Sequence, residues 1–250
     1  MVRAYLARAL KISVVIPAFN EEKLLSATLA AIRGALVSFT KRGWETEVIV
    51  CDNNSKDGTS RVARENEATV VFEPVNQIAK ARNTGAAAAT GDWLIFVDAD
   101  SRPTPELFAE AAVQIQSGRC VAGGCTVRLD ERHFLADLGT GGWNCLSRLR
   151  RWFAGSFSFC ETRAFRAVGG FNETLYASEE IDLSKRLKEF GRREGKEVVI
   201  LHRHPLLTSA RKMKLYSRLE LLRFLRKAIF QPRATVTSRE ACSPWYDGRR

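Results

Sequence analysis

Trp93-Leu94-Ile95-Phe96-Val97-Asp98-Ala99-Asp100 runs five apolar residues straight into a pair of acids. Such a run reads as a strand buried on both faces. Alternation along a strand points Asp98 and Asp100 the same way. Two convergent carboxylates repel each other unless a cation lies between them. Mg²⁺ and Mn²⁺ favour oxygen ligands and bridge readily to phosphate. An isolated Asp-x-Asp is most simply a polar turn, so its meaning rests on its neighbours.

Upstream, strand and helix patterns alternate. Ile12–Ile16 is a short β-branched run, hence a buried strand. Asn20 is placed to cap a helix with Glu21 and Glu22 in its first turn. Leu24, Leu25, Thr28, Leu29, Ile32, Leu36 and Phe39 then recur at helical spacing. A second strand covers Glu47–Cys51 and ends in the turn-rich Asp52–Thr59. A helix over about 60–66, a strand over Thr69–Phe72 and an alanine-rich helix over Ile78–Ala89 precede Trp93. Pro103 and Pro105 open another helix that ends near Gly118. This alternation implies a mostly parallel sheet with helices on both faces. Ligands bind such sheets outside the carboxyl ends of the strands. Asn20, Glu21, Asp52, Asp98 and Asp100 all fall there.

The second half is less regular. Val121–Leu129, Ser156–Cys160 and Val198–Leu201 read as strands, and Glu180–Phe190 as a helix. Glu179, Glu180 and Asp182 would sit in its first turn, capped by Ser178. His202 and His204 follow the last strand and are candidate metal ligands. Trp143, Trp152, Phe153 and Phe157 could stack on a sugar, cover a lipid, or simply fill the core.

Charge is unevenly placed. Residues 1–100 carry 12 basic and 12 acidic side chains, and 101–182 carry 9 and 10. Residues 183–250 carry 18 and 6, so the whole excess lies in the last quarter. Lys212–Phe230 sets Leu215, Leu219, Leu222, Leu225 and Ile229 beside a cationic face, a basic amphipathic helical tail. It fits either peripheral contact with an anionic membrane or docking on the domain. No apolar run reaches the roughly 18 residues of a membrane span. Neither a signal peptide nor a CxxC pair is expected. The expected location is the cytoplasm or the inner face of the membrane, with reduced thiols.

The chain lacks the Gly-x-Gly-x-x-Gly turn of a dinucleotide fold. In its place stands Pro17-Ala18-Phe19-Asn20-Glu21-Glu22. Asp52–Thr59, Ala81-Arg82-Asn83-Thr84-Gly85, Asp98–Asp100, Val168-Gly169-Gly170-Phe171-Asn172-Glu173 and Glu179-Glu180-Ile181-Asp182-Leu183 follow in order. The series resembles the family-two inverting glycosyltransferases of GT-A fold over about residues 11–210. The resemblance implies that Pro17, Ala18, Asn20 and Glu21 line the nucleotide pocket and that Asp52 binds the base. It places Arg82 and Arg211 near the diphosphate, with Asp98 and Asp100 holding donor and metal. Gly169, Gly170 and Phe171 would shape the acceptor side. Glu180 occupies the general-base position, with Glu179 as its rival.

Two positions depart from the family. Asn53 replaces an Asp that would help read the base, and Glu180 replaces the usual Asp. The implied activity is inverting transfer from a nucleoside-diphosphate donor, a UDP-sugar, with Mg²⁺ or Mn²⁺. The acceptor is open, lipid-linked or a polysaccharide. The implied division is a GT-A domain over 1–211, its nucleotide half about 11–100 and acceptor half about 101–211, and a basic extension over 212–250. The rival readings are a nucleotidyltransferase and a non-catalytic module binding anionic membrane or nucleic acid.

Overall fold

Four strands set the frame: β1 (Lys11–Ala18), β2 (Glu45–Asp52), β3 (Thr69–Phe72) and β4 (Trp93–Val97). Helices α1 (Leu25–Thr40), α2 (Thr59–Glu65) and α3 (Ile78–Ala88) connect them. The computed structural model describes residues 9–131, 134–153, 155–209, 236–242 and 246. The second half adds β5 (Ser101–Arg102), α4 (Pro105–Gln116), β6 (Cys120–Leu129), α5 (Phe134–Arg150), β7 (Phe157–Glu161), α6 (Thr162–Ala167), α7 (Glu179–Arg193) and β8 (Glu197–Thr208). The sheet order is β3-β2-β1-β4-β7-β6-β8-β5. β1 is parallel to β2 and β4, β2 to β3, and β6 to β8. β7 lies antiparallel between β4 and β6.

This order positions the site. The chain moves outward from β1 to β3, then returns to the other side of β1 for β4. The reversal beside β1 marks the carboxyl edge at which such sheets bind ligands. Ala18 ends β1 beside Asp52 at the end of β2. Asp98 follows β4, and its N–H donates to the Ser156 carbonyl at 3.2 Å. The antiparallel β7 thereby carries residues 155–156 to the same edge.

One core layer packs α1 and α4 against the sheet through Leu29, Ile32, Phe39, Phe108 and Ile115. The other packs α3, α6 and α7 through Ala86, Phe165, Phe171, Leu183 and Leu187. All six cysteines are free and five are buried. Burial raises the Cys51 thiol to about 12, which makes it an inert core side chain.

Several expectations change. α1 begins at Leu25, and Leu24 makes no side-chain cap. Asn20 has φ +54°. The N–H groups of Asn20, Glu21 and Glu22 donate to Ser55 Oγ, Thr59 Oγ1 and Asp57 Oδ2. These bonds weld the β1 end to the loop after β2, and α1 starts only beyond them, with the Glu21 carbonyl taking its first N–H groups. Strand β8 extends through His202 and His204 to Thr208. Its register to β6 jumps from Cys125↔Leu201 to Val127↔Leu206, so residues 202–205 bulge opposite Thr126. Pro205 suits a bulge, where no ladder donor is needed. Ser178 has φ +63° and gives α7 no side-chain cap. α5 and α6 were not expected, and Gly139, Gly141 and Gly142 hide the helical pattern of α5. Arg211 and the stripe over Lys212–Phe230 lie outside the described residues. No helix among the described residues is long and apolar enough to cross a membrane.

Gly85 lets α3 lie close on β1, because a Cβ there would run into Val15 Cγ1. Alanine favours a helix by about 1 kcal/mol over glycine. Overpacking typically costs about 1–3 kcal/mol. Gly85→Ala should therefore lower the urea midpoint, and a raised midpoint would contradict this packing.

Candidate active site

Three segments meet at the carboxyl edge. The first is the paired β1 and β2 ends. Asp52 is buried, with Oδ1 accepting from Ser55 N at 2.9 Å and Oδ2 from Ser60 Oγ at 2.8 Å. Lys56 N–H donates to Asn20 Oδ1 at 2.8 Å, and Gly58 N–H to Glu22 Oε2 at 2.8 Å. Pro17 and Ala18 are the last residues of β1. Glu21 is buried, and its carbonyl accepts the first helical N–H groups from Leu24 and Leu25. This is a rigid cradle built largely from turn hydrogen bonds.

Asn53 explains its own departure from Asp. Its Nδ2 donates to the carbonyls of Glu73 and Val75, and its Oδ1 accepts from Gln77 N–H at 2.9 Å. Only an amide supplies both donors and an acceptor. An ionised Asp would leave two buried carbonyls facing a carboxylate.

The second segment is Asp98-Ala99-Asp100. Strand β4 stops at Val97, so the two acids occupy a turn and not a strand. Ala99 is buried, and its carbonyl accepts from Thr28 Oγ1 at 2.8 Å. Asp98 and Asp100 flank it, both half-exposed.

The third segment is the first turn of α7. Arg82, on α3, joins it to the second. Arg82 is only 3% exposed. One terminal nitrogen donates to Glu179 Oε1 at 2.7 Å. The other donates to Asp98 Oδ1 at 2.9 Å and to the Gly155 carbonyl at 2.8 Å. Burial works against the guanidinium charge, but Asp98, then Glu179 and Glu180, outweigh it and hold the group charged. Phe171 is buried beneath it, its ring centre 5.2 Å from the guanidinium carbon. Asn83 holds Phe171 in turn, accepting from its N–H and donating to its carbonyl, both at 2.9 Å. Gly169 and Gly170 have φ +80° and +67°. A Cβ at 170 would sit 2.7 Å from Asn83 Oδ1. Gly170 and Phe171 thus support Arg82 from below, and Gly169 and Phe171 also border a polar cleft.

The acidic pair divides. Glu179 is buried and committed to Arg82. Glu180 is half-buried, and Gly155, the residue whose carbonyl binds Arg82, packs close to its carboxyl end. Burial first, then repulsion from Glu179, raises Glu180 to about 8, against the pull of Arg82. Asp98 adds a smaller push in the same direction. Asp182 is engaged by Arg186 Nε at 2.8 Å and serves the helix.

For a divalent ion, the donor set is chemically suitable. Asp98 and Asp100 are hard oxygen donors, half-exposed at the carboxyl edge. No third His, Cys, Asp or Glu among the described residues completes a metal cluster with them. Mg²⁺ and Mn²⁺ sites of this kind keep waters and take substrate phosphate oxygens. His202 and His204 lie on the bulge of β8, exposed, and join no such cluster. A polar cleft of about 380 Å³ is lined by Gly169 and Phe171 with Asn83, Asn172, Glu173, Asp182 and Arg186, and its lining includes neither Asp98 nor Asp100.

Sequence reasoning did not single out Gly155, Gln77 or Tyr246. Gln77 Nε2 donates to the carbonyls of Glu173 and Leu175. The Tyr246 hydroxyl donates to the Tyr176 carbonyl at 3.0 Å and accepts from Ile78 N–H. Tyr176 N–H donates to the Val236 carbonyl. The chain thus returns to brace the loop before Glu179. Of the four aromatics, Phe153 and Phe157 are core, while Trp152 lies outside them.

The profile described as glycosyl transferase family 2 matches residues 13–166. The chain belongs to that family. The match spans the cradle, Arg82, Asp98, Asp100 and Gly155. A pre-mycofactocin glycosyltransferase of Mycobacterium tuberculosis is 29% identical over 216 residues, covering 80% of this chain and 44% of its own length. The chain thus spans less than half of that relative. A mannosyltransferase from Pyrobaculum calidifontis, solved with GDP-Man and Mn²⁺, superposes with TM-score 0.67 at 19% identity, covering 97% of this chain and 69% of that one. TarS from S. aureus with UDP-GlcNAc gives TM-score 0.64 at 17% identity, covering 95% and 79%. These likenesses establish the GT-A fold. The family match favours sugar transfer over the nucleotidyltransferase and binding-module readings.

Removing Arg82 strands Glu179 as a buried charge, which costs about 3–5 kcal/mol. Arg82→Met should show that loss in denaturant unfolding. The double variant Arg82→Met/Glu179→Gln should recover about half of it. Strict additivity would mean the two side chains are not coupled.

Proposed function

We propose that the chain transfers a sugar from a nucleoside-diphosphate donor, taken as a UDP-sugar, to an acceptor hydroxyl with inversion at the anomeric carbon. The observation that carries this reading is the Arg82 node. It ties the half-exposed Asp98 on one side to the acidic pair of α7 on the other. The cradle of Pro17, Ala18, Asn20, Glu21 and Asp52 is assigned to the nucleoside, and Asp98 and Asp100 to Mg²⁺ or Mn²⁺. A divalent ion bound there would neutralise charge developing on the leaving diphosphate. Arg82 holds Asp98 in place for that task and adds fixed positive charge behind it.

Glu180 is the proposed general base. Glu179 is spent on Arg82, so Glu180 is the member of the pair left to take the acceptor proton. General-base assistance of this type contributes about 10²–10⁴-fold. One in-line displacement with the base opposite the leaving group inverts the sugar carbon. Residues 1–211 are assigned as the catalytic domain and 212–250 as an extension, with Arg211 reserved for the diphosphate. The related structures carry both guanosine and uridine donors. GDP-sugars are therefore the donors to test beside UDP-sugars. The acceptor class stays open between a lipid-linked sugar and a polysaccharide, at a peripheral membrane site.

Thermal-shift screening of UDP- and GDP-sugars with and without Mn²⁺ tests donor and metal together. A ligand at 100 times its Kd adds about 2.7 kcal/mol of stability. Asp98→Ala and Asp100→Ala should fold yet lose the Mn²⁺-dependent part of the shift and the transfer. Unimpaired transfer by both would remove the metal role.

Glu180→Gln should keep the donor shift and lose transfer by about 10²-fold or more. A base works deprotonated, and Glu180 is raised to about 8. For the wild type, kcat/KM should therefore climb with pH and level off above about 8. Glu179→Gln removes the repulsion and should move that rise to lower pH. A dead Glu179→Gln beside an active Glu180→Gln would reverse the assignment.

A further inference from the structure

We propose that the outer face of α5 docks on an anionic lipid bilayer. The proposal is independent of the donor chemistry above.

Helix α5 is built inside out. The uncharged polar residues Asn144 and Ser147 face the protein. Asn144 accepts from Val127 N–H at 3.0 Å and donates to the Val127 carbonyl at 2.9 Å, gripping β6. Ser147 is fully buried and donates to the Trp152 carbonyl at 2.6 Å. Leu138, Leu149 and Leu146 face solvent, 67%, 75% and 38% exposed. Cys145 is exposed as well. At about 3.6 residues per turn, positions 138, 142, 145, 146 and 149 form one stripe. A soluble helix with no partner carries the opposite arrangement.

Charge decides the partner. Arg148 and Arg150 fall on the two flanks of the stripe, each about a quarter-turn from Leu149. Trp152 follows, with the Arg150 guanidinium 5.6 Å and the Lys185 ammonium 5.1 Å from its ring centre. Lys188 reaches the Arg150 carbonyl, and Arg151 is paired with Glu197. Leucines between cationic flanks, with a tryptophan at the end, match the acyl, phosphate and interfacial levels of a bilayer. Asp137, exposed in the first turn of α5, is the one acid on the helix, and the cations gather at its other end, around Trp152. The docked face also lies near the chemistry. Five residues beyond α5, the Gly155 carbonyl holds Arg82.

The test is sedimentation of the full chain with vesicles of phosphatidylglycerol in phosphatidylcholine, against pure phosphatidylcholine. The wild type should bind the anionic vesicles, more weakly as salt rises, and leave the neutral ones. Leu138→Glu/Leu149→Glu should weaken binding about tenfold or more at an unchanged circular-dichroism melt. Arg148→Glu/Arg150→Glu should weaken it by roughly fivefold or more per residue, and decides the matter if the leucine variant does not fold. Wild-type indifference to anionic vesicles, or wild-type affinity in the folded variants, would overturn the proposal. So would a wild-type dimer that Leu149→Glu converts to monomer, which would make the face a self-contact. None of these readouts uses donor or metal.

Discussion

One buried guanidinium holds the carboxyl edge of the sheet together. Arg82 joins α3 to the turn after β4, to the first turn of α7 and to the backbone at Gly155. A buried cation is tolerable only where anions and carbonyls surround it, and here three chain segments supply them. The requirement runs both ways. Asp98 and Glu179 have a defined separation because a single planar group must reach both. Phe171, Gly170 and Asn83 serve the same end by fixing where the guanidinium lies. What looks like a set of dispersed motifs is one mechanical unit around a positive charge.

That unit divides two adjacent glutamates by environment. Identical side chains one residue apart differ because a helix turns by about 100° per residue. Glu179 faces Arg82 and is neutralised by it, while Glu180 is crowded by burial and by its neighbour's charge. Environments that push two carboxylates apart are the usual way one site obtains a fixed anion and a proton acceptor.

The strands were largely legible because buried strands leave continuous apolar runs. Trp93–Val97, buried at every residue, falls where the sequence places it, and so does the half-exposed edge strand Thr69–Phe72. The helix start at Leu25 was not, because Asn20 and Glu21 look like a cap but bond sideways to Ser55 and Thr59, more than thirty residues on. Nothing local reveals such a partner. The same holds for Gly155, which matters through its carbonyl, and for Tyr246, which matters through the Tyr176 backbone. β8 was cut short because His202-Arg203-His204-Pro205 carries loop composition, and a bulge tolerates what a ladder does not. Asp98 and Asp100 follow directly on β4, where a turn and not strand parity orients them. Residue type announces chemistry; backbone service and long-range partners do not.

The bulge on β8 separates length from register. The ladder to β6 breaks at Leu201 and resumes at Leu206, and the strand then continues to Thr208 beside Ser101, the residue after Asp100. Residues gained or lost within that excursion would leave the pairing on either side intact. The rim next to the acids is therefore a place where the chain can be edited like a loop while being anchored like a strand.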